Sequence, residues 1–245
     1  MAKLGLLGRH ISYSFSKTFF TEKFLNEGLP YTYENFDMDS ISEFPLVLKN
    51  NPDLVGLNVT IPYKEQIMPY LDDISEKAKE IGAVNTIAIS SSGRLKGYNT
   101  DCFGFKKSIE PLLKPHHKNA LILGTGGASK AVAYTLGEFN IEFDYVSRTP
   151  NNLAKFIYSE LTQEIIRVHP VIINCTPVGT HPNINECPNI PYGGVTKKHL
   201  LYDLIYNPLR TKFLRLGEGK GAVTCNGLEM LELQAEKAWN IWNSV

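Results

Sequence analysis

The chain has 245 residues, which is enough to bury a substantial core in one or two domains. Its composition, 43% apolar and 20% charged, is typical of globular proteins and excludes a disordered chain. The 25 basic residues equal the 25 acidic residues in number, so the formal net charge is zero. This balance, without any run rich in Lys and Arg, indicates that nucleic acid is not a partner.

Nothing in the sequence indicates a membrane or a secretory route. The apolar N-terminus reaches Arg9 and His10 too early for a signal-peptide core, and no later run approaches the roughly 18 apolar residues of a membrane span. We therefore expect a cytoplasmic protein that does not bind membranes. The cysteines have no paired spacing and the histidines no ligand spacing, so we expect free thiols and no metal site. The cysteines are Cys102, Cys175, Cys187 and Cys225.

The first hundred residues alternate between short apolar runs and helical patterns. The runs typical of buried strands cover 3–8, 31–36, 54–59, 84–89 and 94–98, and the helical patterns cover 16–25, 40–49 and 75–81. Ser40 and Glu43 have the spacing of a capping box, and Pro62 stands where the first turn of a further helix would tolerate it. Strands alternating with helices predict α/β architecture with a largely parallel sheet.

A second domain is predicted from about residue 101. A helical pattern over 101–113 ends in a polar break, and the apolar run 119–123 then leads through a glycine-rich turn into a helix and another strand. We expect a first domain over 1–100 and a second over 101–225. The final helical pattern, within 226–245, is expected to pack back on the first domain.

The glycine-rich turn has the spacing of a dinucleotide-binding fingerprint. Gly124-x-Gly126-x-x-Ser129 follows an apolar strand and opens a helix, the context that this fingerprint requires. The first glycine permits a tight turn, the second lets the backbone approach a pyrophosphate, and the helix N-terminus attracts the anion. The alternative is an ordinary strand–helix turn.

The end of the next strand predicts which dinucleotide binds. NAD sites usually have Asp or Glu there to bind the ribose hydroxyls, but this chain reads Ser147-Arg148-Thr149. Arg148 can pair with a 2′-phosphate, and the two hydroxyls can donate hydrogen bonds to it. The sequence therefore predicts NADP, unless Arg148 is merely a solvated residue at a strand end.

Short polar side chains cluster at the predicted strand ends of the first domain. They are Ser14, Ser16, Asn58, Thr60, Lys64, Asn85, Asn99 and Asp101. Taken singly, each could be a helix cap, a turn residue or a solvated lysine. Together they provide the hydroxyl and amide partners that a polyhydroxy acid needs, with an acid–base group for a reducible carbonyl.

Motif blocks along nearly the whole chain resemble the shikimate dehydrogenase family. The blocks are Ser14-x-Ser16, Gly56-x-Asn-Val-Thr-x-Pro-x-Lys64, Gly82-Ala-Val-Asn-Thr86, Gly97-x-Asn-Thr-Asp101, Gly124-x-Gly-Gly-Ala-Ser129, Ser147-Arg-Thr149, Asn174-Cys-Thr-Pro-x-Gly179, Asp203-x-x-Tyr-Asn-Pro208 and Asn226-Gly-Leu-x-Met-Leu-x-x-Gln-Ala235. The blocks occur in the same order as in the family, which makes the resemblance far more specific than any single block would. It implies an N-terminal α/β substrate domain, a Rossmann-type NADP-binding domain and a cleft between them.

The resemblance also implies an activity and a set of site residues. The family reduces 3-dehydroshikimate to shikimate with NADPH, and Lys64 and Asp101 would form the catalytic pair. The residues implied to bind substrate are Ser14, Ser16, Asn58, Thr60, Lys64, Asn85, Asp101, Tyr206 and Gln234. Those implied to bind cofactor are Gly124, Thr125, Gly126, Gly127, Ala128, Ser129, Ser147, Arg148, Thr149, Leu204 and Gly227. The expected partner is a small-molecule substrate, with the chain a monomer or a homodimer.

The sequence departs from the family pattern at several places. The family's first motif usually reads His-Ser-x-Ser-Pro, whereas Tyr13 and Lys17 flank the two serines here, which predicts altered substrate affinity. Ser147 stands where the family usually has Asn. The loop 150–152 lacks the second basic residue common in the family, which predicts a softer preference for NADP. The segment 158–170 is short, which predicts a trimmed peripheral element.

Three rival interpretations follow from the same residues. The first is a quinate/shikimate dehydrogenase of the same fold that uses NAD. The second is a non-catalytic nucleotide-binding regulator, which would be expected to lose the Lys–Asp pair or the serines. The third, a metal enzyme, is disfavoured by the spacing of the histidines.

Overall fold

The computed structural model describes residues 1–12 and 14–244, and the chain divides into two compact units. Unit 1 contains residues 1–100 and the chain from Ala235 onward, and unit 2 contains Asp101–Gln234. Among the described helices, none combines the length and the apolar character needed to cross a bilayer. Tyr13, one of the departures from the family motif, lies outside the described residues.

Unit 1 is built on one mixed sheet. Its strands are β1 (Ala2–Gly8), β2 (Tyr31–Asp37), β3 (Leu54–Val59), β4 (Asp73–Ile74), β5 (Thr86–Ile89) and β6 (Leu95–Tyr98), and its helices α1 (Phe15–Glu27), α2 (Phe44–Asn50) and α3 (Glu76–Ile81). The strand order is β2-β1-β3-β5-β6-β4. β1 runs parallel to β2 and β3, but β5 is antiparallel to both β3 and β6. The predicted largely parallel sheet is therefore wrong for this unit, because β5 and β6 form a hairpin and hairpin strands are antiparallel.

Side-chain caps explain two helix starts in unit 1. Ser40 and Glu43 form the predicted capping box, in which the Ser40 N–H donates to Glu43 Oε1 at 2.8 Å. A 3-10 turn over Ile41–Glu43 precedes α2. Ser75 caps α3 by accepting the Ala78 N–H at 3.4 Å. These hydroxyl and carboxylate groups satisfy N–H groups that the first helical turn leaves without a partner.

The predicted helix start at Pro62 is wrong. Residues 61–67 form turns rather than a helix. The Lys64 carbonyl accepts the N–H of Val84 at 2.7 Å, so it is bonded outside the segment and does not continue a helical ladder. This bond ties the turn that contains Lys64 to the chain just before β5, which begins at Thr86.

Unit 2 is built on a fully parallel sheet. Its strands are β7 (Asn119–Leu123), β8 (Glu142–Ser147), β9 (Phe156–Ile157), β10 (Val171–Asn174), β11 (Leu200–Asp203) and β12 (Val223–Cys225), and its helices α4 (Asp101–Ile109), α5 (Gly127–Glu138), α6 (Gln163–Val168), α7 (Lys212–Glu218) and the first part of α8 (Leu228–Trp242). The strand order is β12-β11-β10-β7-β8-β9, and every neighbouring pair is parallel. The predicted strand–turn–helix–strand unit is confirmed as β7, α5 and β8.

The strand order of unit 2 reverses direction at β7. From β7 the chain adds β8 on one side and later β10 on the other. Parallel α/β sheets bind ligands beyond the carboxyl ends of the strands at such a switch point. Gly124 follows β7 and Asn174 ends β10, so the fingerprint turn stands at this position. The α/β class predicted from the sequence is confirmed.

Helix α8 contributes to both units. Trp242 Nε1 donates to the Ile87 carbonyl of β5 at 2.9 Å, and Trp239 belongs to the apolar cluster of α1 and the first sheet. Met230, near the start of the helix, packs instead in the apolar cluster of unit 2. The sequence predicted that all of 226–245 would join the first domain, whereas the contacts divide the helix at Ala235. Met230 explains the difference, because its side chain is buried among unit 2 residues.

We predict that Gly56→Ala destabilises the chain. A Cβ at Gly56 would overlap the Trp242 indole, so the helix or the strand must shift, and such overpacking costs about 1–3 kcal/mol. The matched control is Gly137→Ala in α5, where a Cβ meets nothing within 4 Å and alanine favours the helix. Thermal unfolding followed by circular dichroism should show a lower Tm for Gly56→Ala only. Equal Tm values would contradict the assigned packing of Trp242.

Candidate functional site

A buried polar network lies at the ends of β3 and β5 in unit 1. Asn85 Oδ1 accepts the Thr100 N–H at 2.7 Å, and Asn85 Nδ2 donates to Thr100 Oγ1 at 3.0 Å. Asn58 Nδ2 lies 3.4 Å from both the Asn85 carbonyl and Thr86 Oγ1. All four residues are buried. The amide of Asn85 is therefore held in one orientation by the backbone of Thr100 before any ligand arrives.

The network continues to β2 and α1 through Tyr33. Its hydroxyl donates to Asn58 Oδ1 at 2.7 Å and is also hydrogen-bonded to Ser16. Burial raises the pKa of Tyr33 well above its usual range, so the phenol stays protonated and remains a donor. Sequence reasoning missed Tyr33, because nothing in the sequence distinguishes it from Tyr31 on the same strand. The structure thus brings Ser16, Asn58 and Asn85 into one hydrogen-bonded set.

The other predicted substrate residues of unit 1 lie close in sequence to Ser16 and Asn58. Ser14 is the N-cap of α1 and accepts the Lys17 N–H at 3.3 Å, so its helix-cap role is real. Thr60 follows β3, and its N–H donates to the Leu7 carbonyl at 2.9 Å. Lys64 follows on the same turn and is half-buried. The backbone of this segment is fixed by bonds to neighbouring strands.

Three predicted substrate residues belong to unit 2. Asp101 is buried in the first turn of α4, where a carboxylate also stabilises the helix dipole. Tyr206 is half-buried in the loop after β11. Gln234 is buried in α8, and its Nε2 donates to the Leu231 carbonyl at 2.8 Å. Their roles toward a substrate stay predictions.

The turn between β7 and α5 fits an anion. Gly124 has φ of +103°, a conformation that favours glycine, and its N–H donates to the Val146 carbonyl at 2.8 Å. A Cβ at Gly126, the N-cap of α5, would meet nothing within 4 Å, so space is open at the helix N-terminus. Ser129 is buried and its hydroxyl donates to the Gly126 carbonyl at 2.7 Å. The N–H groups of a 12-residue helix therefore face a space that a pyrophosphate could occupy.

The turn directly after β8, residues 148–152, contains one basic residue, the exposed Arg148. Arg148 and Thr149 are exposed, whereas Ser147 is buried and its hydroxyl donates to the Thr149 carbonyl. The predicted hydrogen bond from Ser147 to a phosphate stays a prediction, and it would have to replace this bond because the hydroxyl has a single proton. The next basic residue, Lys155, is paired with Asp144 at 2.8 Å. Arg148 is the cation that this turn offers to a 2′-phosphate.

Two predicted cofactor residues meet at the ends of β11 and β12. The Gly227 N–H donates to the Ile205 carbonyl at 3.0 Å, and a Cβ at Gly227 would collide with the Leu204 carbonyl. Only glycine permits this close approach of the two backbones. The structure therefore brings Leu204 and Gly227 together at the carboxyl end of the sheet.

A buried carboxylate organises the neighbouring loops. Asp203 is fully buried and accepts hydrogen bonds from Asn174 Nδ2 at 2.9 Å, the Ile205 N–H at 3.1 Å and Thr211 Oγ1 at 2.6 Å. Burial outweighs these three bonds and raises the pKa of Asp203 to about 6. Sequence reasoning placed Asp203 in a family block but gave it no role.

The described part of the chain contains no group of three or more His, Cys, Asp or Glu side chains arranged to hold a metal ion. All four cysteines are free thiols.

We predict that Asp203 makes the stability of the chain depend on pH. The folded chain holds the Asp203 proton more tightly than the unfolded chain, because the pKa is raised from 3.8 to about 6. The wild type should therefore lose about 2–3 kcal/mol relative to Asp203→Asn as the pH rises from about 4 to about 7. Urea unfolding of both proteins across this range measures the difference. A difference that does not change with pH would show that the carboxyl has an ordinary pKa.

Comparisons with known proteins agree with this geometry. Residues 6–87 match the family model described as Shikimate dehydrogenase substrate binding domain. A curated relative from Caldicellulosiruptor saccharolyticus, named Shikimate dehydrogenase (NADP(+)), is 36% identical over 266 residues, which cover 99% of this chain and 92% of the relative.

Solved structures resemble the chain over its full length. Shikimate 5-dehydrogenase from Thermus thermophilus, in complex with NADP(H) and shikimate, has a TM-score of 0.87 at 32% identity, covering 100% of this chain and 94% of that one. Quinate dehydrogenase from Corynebacterium glutamicum, in complex with NAD, has a TM-score of 0.87 at 25% identity, with coverage of 100% and 94%. The family predicted from the motif blocks is confirmed: the chain belongs to the shikimate dehydrogenase family.

Proposed function

We propose that this chain catalyses the reversible, NADPH-dependent reduction of the ring ketone of 3-dehydroshikimate to shikimate. The observation that carries the proposal is the full-length match to a curated relative whose name gives both the activity and the cofactor. The geometry supports it independently, because the chain has a dinucleotide turn in unit 2 and a preorganised set of hydroxyl and amide groups in unit 1. The role of each residue below is part of the proposal.

Lys64 and Asp101 are the proposed catalytic pair. NADPH, when bound, would supply the hydride that reaches the carbonyl carbon. The Lys64 ammonium stabilises the negative charge that grows on the carbonyl oxygen and gives that oxygen a proton, which completes the alcohol. Asp101 holds Lys64 in place and accepts a hydrogen bond from a substrate hydroxyl.

The proposed substrate contacts come from short polar side chains. An acid with several ring hydroxyls needs donors and acceptors at fixed positions, and the buried network around Asn85 provides such positions without reorganisation. The loss of rotamer freedom on binding is small for hydroxyl and amide side chains that are already bonded. The residues proposed for this role are Ser14, Ser16, Asn58, Thr60, Lys64, Asn85, Asp101, Tyr206 and Gln234.

The proposed cofactor residues lie at the carboxyl end of the unit 2 sheet. The open space at Gly126 and the exposed Arg148 fit the pyrophosphate and the 2′-phosphate of NADP. Ser147 is proposed to act by shaping the turn rather than by contacting the phosphate. The residues proposed to hold the cofactor are Gly124, Thr125, Gly126, Gly127, Ala128, Ser129, Ser147, Arg148, Thr149, Leu204 and Gly227.

We also infer the setting in which the enzyme works. Free thiols are usual in the reducing cytoplasm, which supports a cytoplasmic location. The proposed partner is the small-molecule substrate, and the chain acts as a monomer or a homodimer. Unit 1 would provide most of the substrate contacts, and unit 2 would provide the cofactor contacts.

A second candidate is a quinate/shikimate dehydrogenase that uses NAD. It is favoured by the loop 150–152, which adds no second basic residue to Arg148 after β8. Shikimate and quinate assays with NADP+ and NAD+ separate the two. Similar kcat/KM values for both coenzymes, with turnover of quinate, would favour this candidate.

We predict that Lys64→Met removes most of the activity. Loss of a positioned acid lowers kcat by about 10²–10⁴-fold, while KM for shikimate changes less. The assay is the absorbance of reduced nicotinamide with shikimate and NADP+, and Lys107→Met, an exposed lysine on α4, is the control. If Lys64→Met kept kcat within a few-fold, Lys64 would only bind substrate. A wild type that binds NADPH but turns over neither shikimate nor quinate would indicate a regulator.

We predict that Arg148→Ala selectively weakens the use of NADP+. Charge-assisted bonds to a phosphate are worth about 1.5–3 kcal/mol, so KM for NADP+ should rise about 10–100-fold. KM for NAD+, which lacks that phosphate, should stay unchanged. Arg167→Ala, whose guanidinium pairs with Glu164 on α6, is the control. Equal effects on both coenzymes would contradict the assignment.

A further inference from the structure

The carboxylate of Asp203 is connected to the cofactor turn by a continuous set of contacts. Asn174 donates from Nδ2 to Asp203 Oδ1 at 2.9 Å. The other end of the same amide, Asn174 Oδ1, accepts the Thr176 N–H at 3.1 Å and the Thr176 hydroxyl at 2.6 Å. Asp203 thus fixes which way the Asn174 amide points, and the amide fixes Thr176.

Thr176 supports the first glycine of the fingerprint. A Cβ at Gly124 would lie 2.9 Å from Thr176 Cγ2, so the threonine methyl group packs directly against the tight turn. Gly124 in turn precedes the N-terminus of α5, where space is open for an anion. A shift of Thr176 would therefore be transmitted to the backbone that faces the pyrophosphate.

The same carboxylate holds a second cofactor loop. The Ile205 N–H donates to Asp203 Oδ1 at 3.1 Å, and the Ile205 carbonyl accepts the Gly227 N–H at 3.0 Å. The Leu204 N–H donates to the Asn174 carbonyl at 3.0 Å. The loops that carry Leu204 and Gly227 are thus tied to the Asn174 segment through Asp203.

We propose that Asp203 is a positioning residue for NADP(H), which acts through Asn174 and Thr176 on the turn at Gly124. The inference rests on the proposed use of NADP. Asp203 is fully buried, so it touches no ligand itself. Its removal leaves Asn174 Nδ2 with the longer bond to the Val178 carbonyl at 3.4 Å, and the amide then reorients and releases Thr176.

The choice of variants follows from the hydrogen bonds. Asp203→Ala removes all three acceptor contacts. Asp203→Asn keeps an oxygen for Asn174 and Ile205 and can donate from its amide to Thr211 Oγ1, so it should restore the geometry. Thr211→Val removes a different bond of Asp203 together with the N-cap of α7, and so destabilises the fold without breaking the path to Gly124.

The test is the Kd for NADPH of each full-length variant, measured by fluorescence titration well below its Tm. We expect Asp203→Ala to weaken NADPH binding at least about 10-fold, and Asp203→Asn and Thr211→Val to stay within about 3-fold of the wild type. In the steady state Asp203→Ala should raise KM for NADP+ much more than it lowers kcat. Asn174→Ala should weaken binding as well, and adding it to Asp203→Ala should have little further effect, because both act on one path.

Several results would overturn the inference. Unchanged NADPH binding by Asp203→Ala would do so. An equal loss of NADPH affinity in Thr211→Val, at a Tm similar to that of Asp203→Ala, would also do so, because the cause would then be general destabilisation. If Asp203→Ala does not fold, Thr176→Val carries the test: it keeps the methyl group but loses the hydroxyl bond to Asn174 Oδ1. Binding equal to the wild type would contradict the path. A wild type that fails to bind NADPH would overturn the proposed function itself.

Discussion

Buried polar side chains at the ends of strands must find hydrogen-bond partners, and this requirement shapes both units of the chain. In unit 1 the amide of Asn85 is satisfied at both ends by Thr100. In unit 2 the carboxylate of Asp203 receives three donors from separate segments. An unpaired buried group of this kind costs about 1–3 kcal/mol, so each network is strongly determined. The hydrogen bonds of each network therefore determine the positions of the neighbouring loops.

The two networks serve different kinds of ligand. The unit 1 network includes residues that we propose to touch the substrate, so fixed amides and hydroxyls there act directly. In unit 2 the buried groups lie beneath the turn at Gly124, and the ligand would meet backbone N–H groups instead. A helix N-terminus attracts an anion only if its first turn is held in place. The carboxylate below it therefore matters for affinity although it contacts no ligand.

Local patterns in the sequence were sufficient to predict the first strand–turn–helix–strand unit of unit 2. β7, α5 and β8 follow from an apolar run, a glycine-rich turn and a second apolar run, all of which are local signals. The sheet of unit 1 was predicted less well, because the antiparallel placement of β5 depends on its pairing with β3 across the fold. The segment 61–67 was mistaken for a helix start for a similar reason. Its decisive bond, from Val84 to Lys64, joins residues far apart in sequence.

The proposed site residues also differ in whether the sequence alone could identify them. Those with recognisable side chains in family blocks, such as Lys64 and Arg148, could be named from sequence. Tyr33 and Asp203 could not be given a role, because each acts through a partner that only the folded chain brings near. The role predicted for Ser147 is untested, but the structure shows a local bond that competes with it. Its hydroxyl donates to a carbonyl two residues away, a turn contact that competes with ligand binding.

Because the Ser147 hydroxyl is hydrogen-bonded within the turn, we propose that other side chains determine the choice between NADP and NAD. With the Ser147 proton donated to Thr149 and with Lys155 paired to Asp144, we propose that recognition of a 2′-phosphate depends on Arg148 and the Thr149 hydroxyl. An interaction that rests on one exposed guanidinium is screened by salt, whereas a buried or multiply charged site is screened much less. The pyrophosphate is also bound through its charge, but both coenzymes carry it, so its screening does not discriminate between them. The proposed preference for NADP over NAD should therefore decrease as the ionic strength rises.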